Sequence, residues 1–186
     1  MAGGRMSRRP NAGAEWIRGV LAEHEGALLR YAQRLTSDPS AAQDAVQETF
    51  LRLCQADRSA VEGHEGPWLF RVCRQRVLDQ QRKEQRMPIV EPAAINGCAS
   101  HARAPDEQCQ HTDDAQAVLK SLATLSADQQ EVVRLKFSQE MSYRDISAVT
   151  GHSITNVGVL LHTALKKLRE SLNSAEMDAT AAQRNG

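Results

Sequence analysis

The sequence predicts an all-α protein built of two small helical domains joined by a flexible linker. Alanine, leucine, glutamine, arginine and glutamate dominate the composition and only 4% of residues are aromatic, which favours helix over sheet. Apolar residues recur at helical spacing through most of the chain. Residues 88–111 break that periodicity with prolines and small residues, as is typical of a linker.

The N-terminal domain is predicted over residues 14–87, after a disordered tail at residues 1–13. Pro39 lies in the turn Ser37–Ser40 and can open a helix there. Three helices are predicted, from near Ala14 to that turn, from Ala41 to Gln55, and from about Pro67 to Arg86. Their apolar residues at helical spacing form the expected core: Leu28, Tyr31, Val46, Phe50, Leu53, Leu69, Val72, Cys73 and Val77.

The C-terminal domain is predicted over residues 112–173, followed by a flexible tail at residues 174–186. Ser126 and Gln129 have the spacing of a capping box, in which each side chain accepts a bond from the other residue's backbone N–H. The helix that they open is expected to bury four apolar residues: Val132, Val133, Leu135 and Phe137.

A helix-turn-helix is predicted between Ser142 and Arg169. Ser142 and Asp145 can cap the first helix, Gly151 suits a left-handed turn, and Ser153 can cap the second helix. The second helix has an apolar face at helical spacing: Val157, Leu161, Ala164, Leu165 and Leu168. This arrangement brings the start of the second helix within reach of a DNA major groove.

The bulk properties exclude several classes of protein. The formal net charge is zero, so DNA binding must depend on local patches or on a partner. No apolar run is long enough for a membrane span, and the N-terminus lacks the hydrophobic core of a secretory signal. Four irregularly spaced cysteines do not suggest a disulfide framework. We therefore expect a cytoplasmic protein without membrane insertion.

Two surfaces of the N-terminal domain carry chemistry. On the second helix, Asp44, Gln47, Glu48 and Leu51 form a strip at i, i+3, i+4 and i+7, which is either a solvated face or a docking strip for a partner helix with basic and apolar groups. On the third helix, Trp68–Arg86 carries six basic and two acidic residues, a net charge of about +4. Arginines can grip phosphates and aromatic residues can stack on unpaired bases, but a core tryptophan beside a solvated basic face is an equal alternative.

These segments together resemble the extracytoplasmic-function group of bacterial sigma factors, which are sigma-70-type initiation factors. Ala42–Leu53 is similar to the family's polymerase-docking helix and Pro67–Arg86 to its −10 and strand-opening segment (region 2). The segment from Leu122 through the helix-turn-helix is similar to its −35-binding domain (region 4). The resemblance implies core RNA polymerase, through its β′ clamp helices and β flap, promoter DNA and an anti-sigma factor as partners.

The resemblance also implies roles for individual residues. Those facing the β′ clamp helices would be Asp44, Gln47, Glu48 and Leu51. Those near the −10 DNA would be Trp68, Phe70, Arg71, Arg74, Gln75, Arg82 and Lys83, with a flipped base held by the loop before Trp68. Those at the −35 element would be Tyr143, Arg144, Ser153, Thr155, Asn156, His162, Lys166 and Lys167.

Two departures from the family pattern concern DNA recognition. Gln75 stands where the family often has Asn, which bears on −10 preference. Gly158, Leu160 and Thr163 occupy positions of the recognition helix where the family usually has Lys or Arg. Fewer cations release fewer counterions, so this helix is expected to hold DNA weakly unless polymerase tethers it.

The sequence predicts no catalytic site, no cofactor and no metal. There is no phosphate-binding glycine loop and no nucleophile elbow. The linker contains four possible zinc ligands, Cys98, His101, Cys109 and His111. Their spacing matches no zinc motif that we can justify, and the segment lacks a rigid turn.

Two other functions are compatible with parts of this pattern. One is a stand-alone helix-turn-helix regulator, in which residues 14–86 would be a helical sensor or dimerisation domain. The other is an interaction protein controlled through the cysteine and histidine cluster of the linker. The acidic strip and the basic third helix favour the initiation factor, because a sensor domain needs neither.

Overall fold

The computed structural model describes residues 12–86 and 121–184 of the chain. These residues form helices and short connections, with no strand among them, which confirms the all-α fold class. The chain divides into two compact units, Met1–Pro92 and Ala93–Gly186, and each is described separately.

The N-terminal unit contains three long helices. They are α1 (Ala12–Leu35), α2 (Pro39–Gln55) and α3 (Glu65–Arg86), with a 3-10 turn at Arg58–Ala60 between α2 and α3. Helix α2 begins at Pro39 because the Asp38 side chain caps it, accepting a 2.8 Å hydrogen bond from the backbone N–H of Ser40. Helix α3 begins at Glu65 and thus includes Pro67 in its first turn, where a missing N–H costs no helical bond.

The core of this unit lies between the three helices. Leu28 of α1, Leu53 of α2 and Leu69 of α3 are almost completely buried. Burial of apolar surface at about 25 cal/mol per Å² is the main stabilising contribution. The Gln81 side chain fixes the end of α1 to α3 by donating a 2.7 Å hydrogen bond to the carbonyl oxygen of Leu35.

The C-terminal unit contains the helix-turn-helix. After a helical end at residues 121–123, its helices are α4 (Ala127–Phe137), α5 (Tyr143–Thr150) and α6 (Ile154–Arg184). Both predicted capping boxes form, Ser126 with Gln129 on α4 and Ser142 with Asp145 on α5. Gly151 adopts φ 80°, the left-handed conformation that the turn between α5 and α6 requires.

The core of the C-terminal unit differs from the prediction at two apolar residues. Val132, Ile146 and Val157 are buried as expected. Phe137, however, is 59% exposed, because it lies five positions after Val132 and therefore points to the far side of α4. Leu165 is 41% exposed, at the edge of the buried face of α6.

The last helix is longer than expected. Helix α6 continues to Arg184 and so includes most of residues 174–186, for which a flexible tail was predicted. Residues 174–184 contain no proline or glycine and are rich in alanine, so nothing in the sequence stops the helix. The predicted linker at residues 88–111 and most of the tail at residues 1–13 lie outside the described residues.

Candidate polymerase and DNA interfaces

The acidic strip of α2 lies on the side opposite the core. Asp44 and Gln47 are exposed, Glu48 is half-buried and Leu51 is 58% exposed, whereas Ala42 and Val46 on the other side are buried. The Glu48 carboxylate forms a 3.3 Å ion pair with Arg52 in the next turn. The strip thus exposes acid, amide and one large aliphatic side chain, a combination that suits a partner helix with basic and apolar groups.

A basic face runs along α3. Trp68, Arg71, Gln75 and Arg82 follow one another at helical spacing on the side away from Leu69 and its buried neighbours. Gln75 and Arg82 are exposed, while Trp68 is half-buried. Arg71 is exposed and has no ion-pair partner among residues 12–86 and 121–184.

Acidic residues neutralise part of that basic face. Asp79 accepts from Arg82 at 3.1 Å and from Arg76 at 3.5 Å. Lys83 is exposed near the end of the helix and Arg74 is half-buried. Arg71 and Lys83 take part in neither of these contacts with Asp79.

The structure corrects the expected position of Phe70. Its ring is only 1% exposed and lies against Tyr31 of α1, with ring centroids 5.0 Å apart and planes tilted by 59°. This edge-to-face contact belongs to the core, so Phe70 has no free face for a DNA base. The spacing Leu69, Phe70, Cys73 and Val77 could have identified it as part of the buried stripe.

The loop before α3 is held by a residue that the sequence analysis did not identify. The Trp16 indole N–H of α1 donates to the Glu65 carboxylate at 3.4 Å, and the Arg58 guanidinium lies 5.3 Å from the centroid of the Trp16 ring. Arg58 also pairs with Glu62 within the loop. Trp16 thereby links the first turns of α1 and α3 to the 3-10 turn.

The surroundings of Glu65 at this junction shift the pKa of its carboxyl group. Partial burial raises the pKa of Glu65, but hydrogen bonds from the backbone of Glu65 and Gly63 and from Trp16, with the nearby His24, lower it. The net effect is a pKa below the ordinary glutamate value. Gly63 adopts φ 87°, which allows the chain to turn into α3.

The helix-turn-helix exposes all eight residues predicted to face the −35 element. They are Tyr143, Arg144, Ser153, Thr155, Asn156, His162, Lys166 and Lys167. Ser153 caps α6, since its hydroxyl oxygen accepts a 3.2 Å bond from the backbone N–H of Asn156. The Asn156 amide nitrogen also lies 3.3 Å from Nδ1 of His152 in the turn.

Three further members of this set also have contacts within the protein. Lys166 lies 3.9 Å from Glu170 in the next turn, and the Lys167 ammonium donates to the Gln129 side chain of α4 at 3.4 Å. The Lys136 ammonium lies 5.7 Å from the centroid of the Tyr143 ring. These are weak contacts at the surface, which a phosphate can replace.

Val159 is a second residue that the sequence analysis did not identify. It is 57% exposed on the side of α6 opposite the buried Val157 and Leu161. Val159 could have been found from the sequence, because it is an apolar residue that does not fit the helical spacing of the buried residues of α6. Val159 lies between Thr155 and His162, both of which were predicted to face DNA.

Neither a cluster of metal ligands nor a membrane-spanning helix occurs in the part of the chain that the structure describes. That part has no group of three or more His, Cys, Asp or Glu residues arranged to hold a metal ion. The four candidate ligands of the linker, Cys98, His101, Cys109 and His111, lie outside it. Among the described helices, none combines the length and apolarity needed to cross a bilayer.

Comparison with known families assigns both halves of the chain. Residues 20–87 match the family described as Sigma-70 region 2, and residues 115–168 match Sigma-70, region 4. The first match covers α2, α3 and α1 from residue 20 onward, so a sensor or dimerisation domain is not supported there. The second match includes the helix-turn-helix.

Individual proteins are similar over most of the chain. The ECF RNA polymerase sigma factor SigL of Mycobacterium tuberculosis is 32% identical over 90% of this chain and 95% of its own length. The RNA polymerase sigma-E factor of Streptomyces avermitilis is 32% identical over 86% of this chain and 87% of its own. Among solved structures, the sigma factor RpoE in complex with the anti-sigma factor NepR from Bartonella quintana superposes with a TM-score of 0.58 at 28% identity, covering 86% of this chain and 98% of that one.

Proposed function

The chain belongs to the extracytoplasmic-function group of RNA polymerase sigma factors. We propose that different surfaces of its described residues bind polymerase and promoter DNA during initiation. The protein is a transcription initiation factor rather than an enzyme. The observation that carries the assignment of surfaces is the pair of oppositely charged faces in the N-terminal unit. Helix α2 exposes an acidic strip, whereas α3 exposes a basic face.

The acidic strip of α2 docks on core polymerase. Asp44 and Glu48 supply carboxylates on either side of Gln47, and Leu51 supplies an apolar contact at the end of the strip. A helix of the polymerase β′ clamp with basic and apolar side chains complements this pattern. The β flap is the corresponding partner of the C-terminal unit.

The basic face of α3 and the loop before it bind the −10 DNA. Arg71, Arg74, Arg82 and Lys83 face the phosphates, while Trp68 and Gln75 lie near the bases. The loop at residues 56–64 holds the flipped base, in the position that Trp16 fixes. Phe70 acts only through the core, by keeping α3 against α1.

The N-terminal part of α6 contacts the −35 element. Ser153, Thr155, Asn156 and His162 lie on its exposed side, as in other helix-turn-helix proteins that insert the start of the second helix into the major groove. Lys166 and Lys167 contact the phosphates beyond it. Tyr143 and Arg144 of α5 extend the same surface.

An anti-sigma factor is the proposed regulator, and the cytoplasm is the proposed location. The 28% identical RpoE was solved in complex with an anti-sigma factor, which supports a partner of this type here. Such a partner competes with polymerase if it covers the strip of α2. A protein that acts with core polymerase on promoters works in the cytoplasm.

The experiment that tests the function is in vitro transcription from purified components. Core RNA polymerase with this chain should give transcripts from a defined set of promoters, and mapped start sites should share −35 and −10 elements. Core polymerase alone is the control. Absence of binding to core polymerase, or transcripts that do not depend on the added chain, would overturn the assignment.

A further inference from the structure

The face of α6 that is turned away from the core has an unusual chemistry for a DNA-reading helix. Thr155, Val159, His162 and Lys166 follow at i, i+4, i+7 and i+11, opposite the buried Leu161. Residues 154–163 contain no lysine, arginine, aspartate or glutamate. The first turns of this helix therefore have no ammonium, guanidinium or carboxylate group with which to read bases, so their contacts depend on the other side chains.

Val159 presents two methyl groups in the middle of that face. Its side chain is 57% exposed and contributes little to the core. An exposed valine in a helix gains neither burial nor favourable propensity, since valine is a weaker helix former than alanine. Its position therefore suggests a contact that is completed only when a partner covers the face.

Thr163 adds a methyl group one turn further along. Its hydroxyl donates a 2.8 Å hydrogen bond to the carbonyl oxygen of Val159, so the hydroxyl is already satisfied within the helix. The γ-methyl is then the group of Thr163 that remains for an external contact. Side chains one turn apart lie about 5–6 Å from each other, so the methyl groups of Val159 and Thr163 form one small apolar surface.

Only one base offers a matching group in the major groove. Guanine, adenine and cytosine present hydrogen-bond donors and acceptors there, whereas thymine presents its C5-methyl beside one acceptor. We infer that Val159, with the methyl of Thr163, contacts the C5-methyl of a thymine in the −35 element and makes that position selective for thymine. This inference rests on the proposed function, because it requires that α6 enter the groove at that element.

The test removes the methyl group from the DNA and leaves the base pair unchanged. On a promoter identified by start-site mapping, each thymine of the −35 element on either strand is replaced in turn by deoxyuridine. Affinity of the complete holoenzyme is then measured for each DNA. At one thymine the replacement should weaken binding about fourfold, which is the effect of about one buried methyl group.

A variant of the protein turns this test into a double-mutant cycle, in which methyl groups are removed from the DNA, from the protein or from both. Val159→Ala should bind thymine and deoxyuridine DNA with less than a twofold difference at that position, and its affinity for deoxyuridine DNA should equal that of the unchanged protein. Alanine favours the helix, so the fold is retained. Leu165→Ala is the matched control, because it truncates another exposed aliphatic residue of α6 on a different side of the helix and should keep the fourfold preference.

Three results would overturn the inference. They are equal affinity for thymine and deoxyuridine at every −35 position, a −35 element without thymine on either strand, and a Val159→Ala variant weakened equally on both DNAs. The last result would point to a protein partner of Val159. In each case the holoenzyme would still initiate at its promoter, so the proposed function would stand; loss of promoter-dependent transcription by the unchanged protein would instead refute that function.

Discussion

The two units of this protein differ in the charge of the surfaces that we propose bind their partners. In the N-terminal unit, α2 exposes an acidic strip and α3 has six basic residues against two acidic ones between Trp68 and Arg86. In the C-terminal unit, the first ten residues of α6 carry no charged side chain. We expect the first unit to bind mainly through charge, and the first turns of α6 to bind through shape and short-range contacts.

This difference indicates how binding energy is distributed. Contacts between cations and phosphates give affinity that falls steeply with salt, whereas apolar and hydrogen-bond contacts to base edges give selectivity with little dependence on salt. The first ten residues of α6 carry no cation, so the cations available for phosphates lie further along the helix, at Lys166 and Lys167. We expect the helix to read DNA effectively when docked polymerase raises its local concentration at the promoter.

The units also differ in what stabilises them. The N-terminal unit packs three helices of 24, 17 and 22 residues, and its core includes the Tyr31 and Phe70 rings. The C-terminal unit contains α4 of 11 residues and α5 of 8 residues, each with a capping box. Short helices gain little from propensity, so caps and the left-handed Gly151 have more weight there.

The largest expected effect comes from reversing the charge of the docking strip. Asp44→Arg with Glu48→Arg should weaken binding to core polymerase at least about a hundredfold, because like charges at a charged interface cost several kcal/mol. Binding can be followed by fluorescence anisotropy with labelled protein, and circular dichroism should show an unchanged fold. Glu23→Arg with Glu25→Arg makes the same charge change at two exposed positions of α1 and should bind normally. Retained binding by the strip variant would contradict the docking role.

The next effect concerns the basic face of α3. Arg71→Ala with Arg82→Ala should lower holoenzyme affinity for a −10 fork DNA about tenfold and make its salt dependence shallower by roughly one to two units, as expected for two lost phosphate contacts. Titrations at several salt concentrations measure both quantities. Arg18→Ala with Arg34→Ala, at exposed positions of α1, is the control. If the salt dependence of DNA affinity is unchanged in the α3 variant, this face does not contact the DNA phosphates.

A smaller effect should appear at the helix-turn-helix. Gly151→Ala should destabilise the C-terminal unit by roughly 1–2 kcal/mol, the cost of a left-handed alanine, since the added Cβ meets no atom within 4 Å. Gly158→Ala should instead stabilise by about 0.5–1 kcal/mol, because its Cβ would lie 3.7 Å from Tyr143 in an ordinary contact within a helix. Urea unfolding followed by circular dichroism compares them.

Both tryptophans, Trp16 and Trp68, belong to the N-terminal unit, so fluorescence provides an internal check on these two glycine variants. The fluorescence transition should be unaffected by either substitution. A shift of equal size in fluorescence and circular dichroism would mean that the two units do not unfold independently.

The smallest expected effect is a change with pH in the stability of the N-terminal unit, caused by Cys73 in its core. Burial raises the pKa of the Cys73 thiol to about 12 despite a hydrogen bond with Thr49, while the unfolded chain titrates near the ordinary value of 9.0. Above pH 9 the Cys73 thiol loses its proton in the unfolded chain but keeps it in the folded protein. The free energy of unfolding is therefore highest below pH 9 and falls above it. Between pH 9 and 10 the loss should be about 1 kcal/mol.

Urea unfolding of the N-terminal unit, followed by tryptophan fluorescence at pH 8, 9 and 10, measures this loss. Cys73→Ala is less stable at every pH, but it should lack this component of the pH dependence. Equal slopes for the two proteins would show that the Cys73 thiol is accessible. Cys54, which is exposed, should react with iodoacetamide in the native protein while Cys73 does not.

The sequence was sufficient for features that depend on neighbouring residues along the chain. The capping boxes at Ser126 and Ser142, the proline start of α2 and the left-handed Gly151 depend on spacings of a few residues. The periodicity of apolar residues gave the helices and most of the core for the same reason. The family resemblance added the order of the docking, −10 and −35 segments, and the family matches confirmed that assignment.

Tertiary packing determined which of several suitable residues are exposed. Phe70 and Trp68 are both aromatic residues of one helical turn; the apolar spacing favours burial of Phe70, and its packing against Tyr31 of α1 shows that it is buried. The contact of Trp16 with Arg58 and Glu65 joins residues more than forty positions apart, which no local pattern encodes. The exposure of Val159 likewise follows from how α4 and α5 cover the other side of α6. Helix geometry is set by bonds between near neighbours, whereas exposure is set by distant segments that meet only in the folded chain.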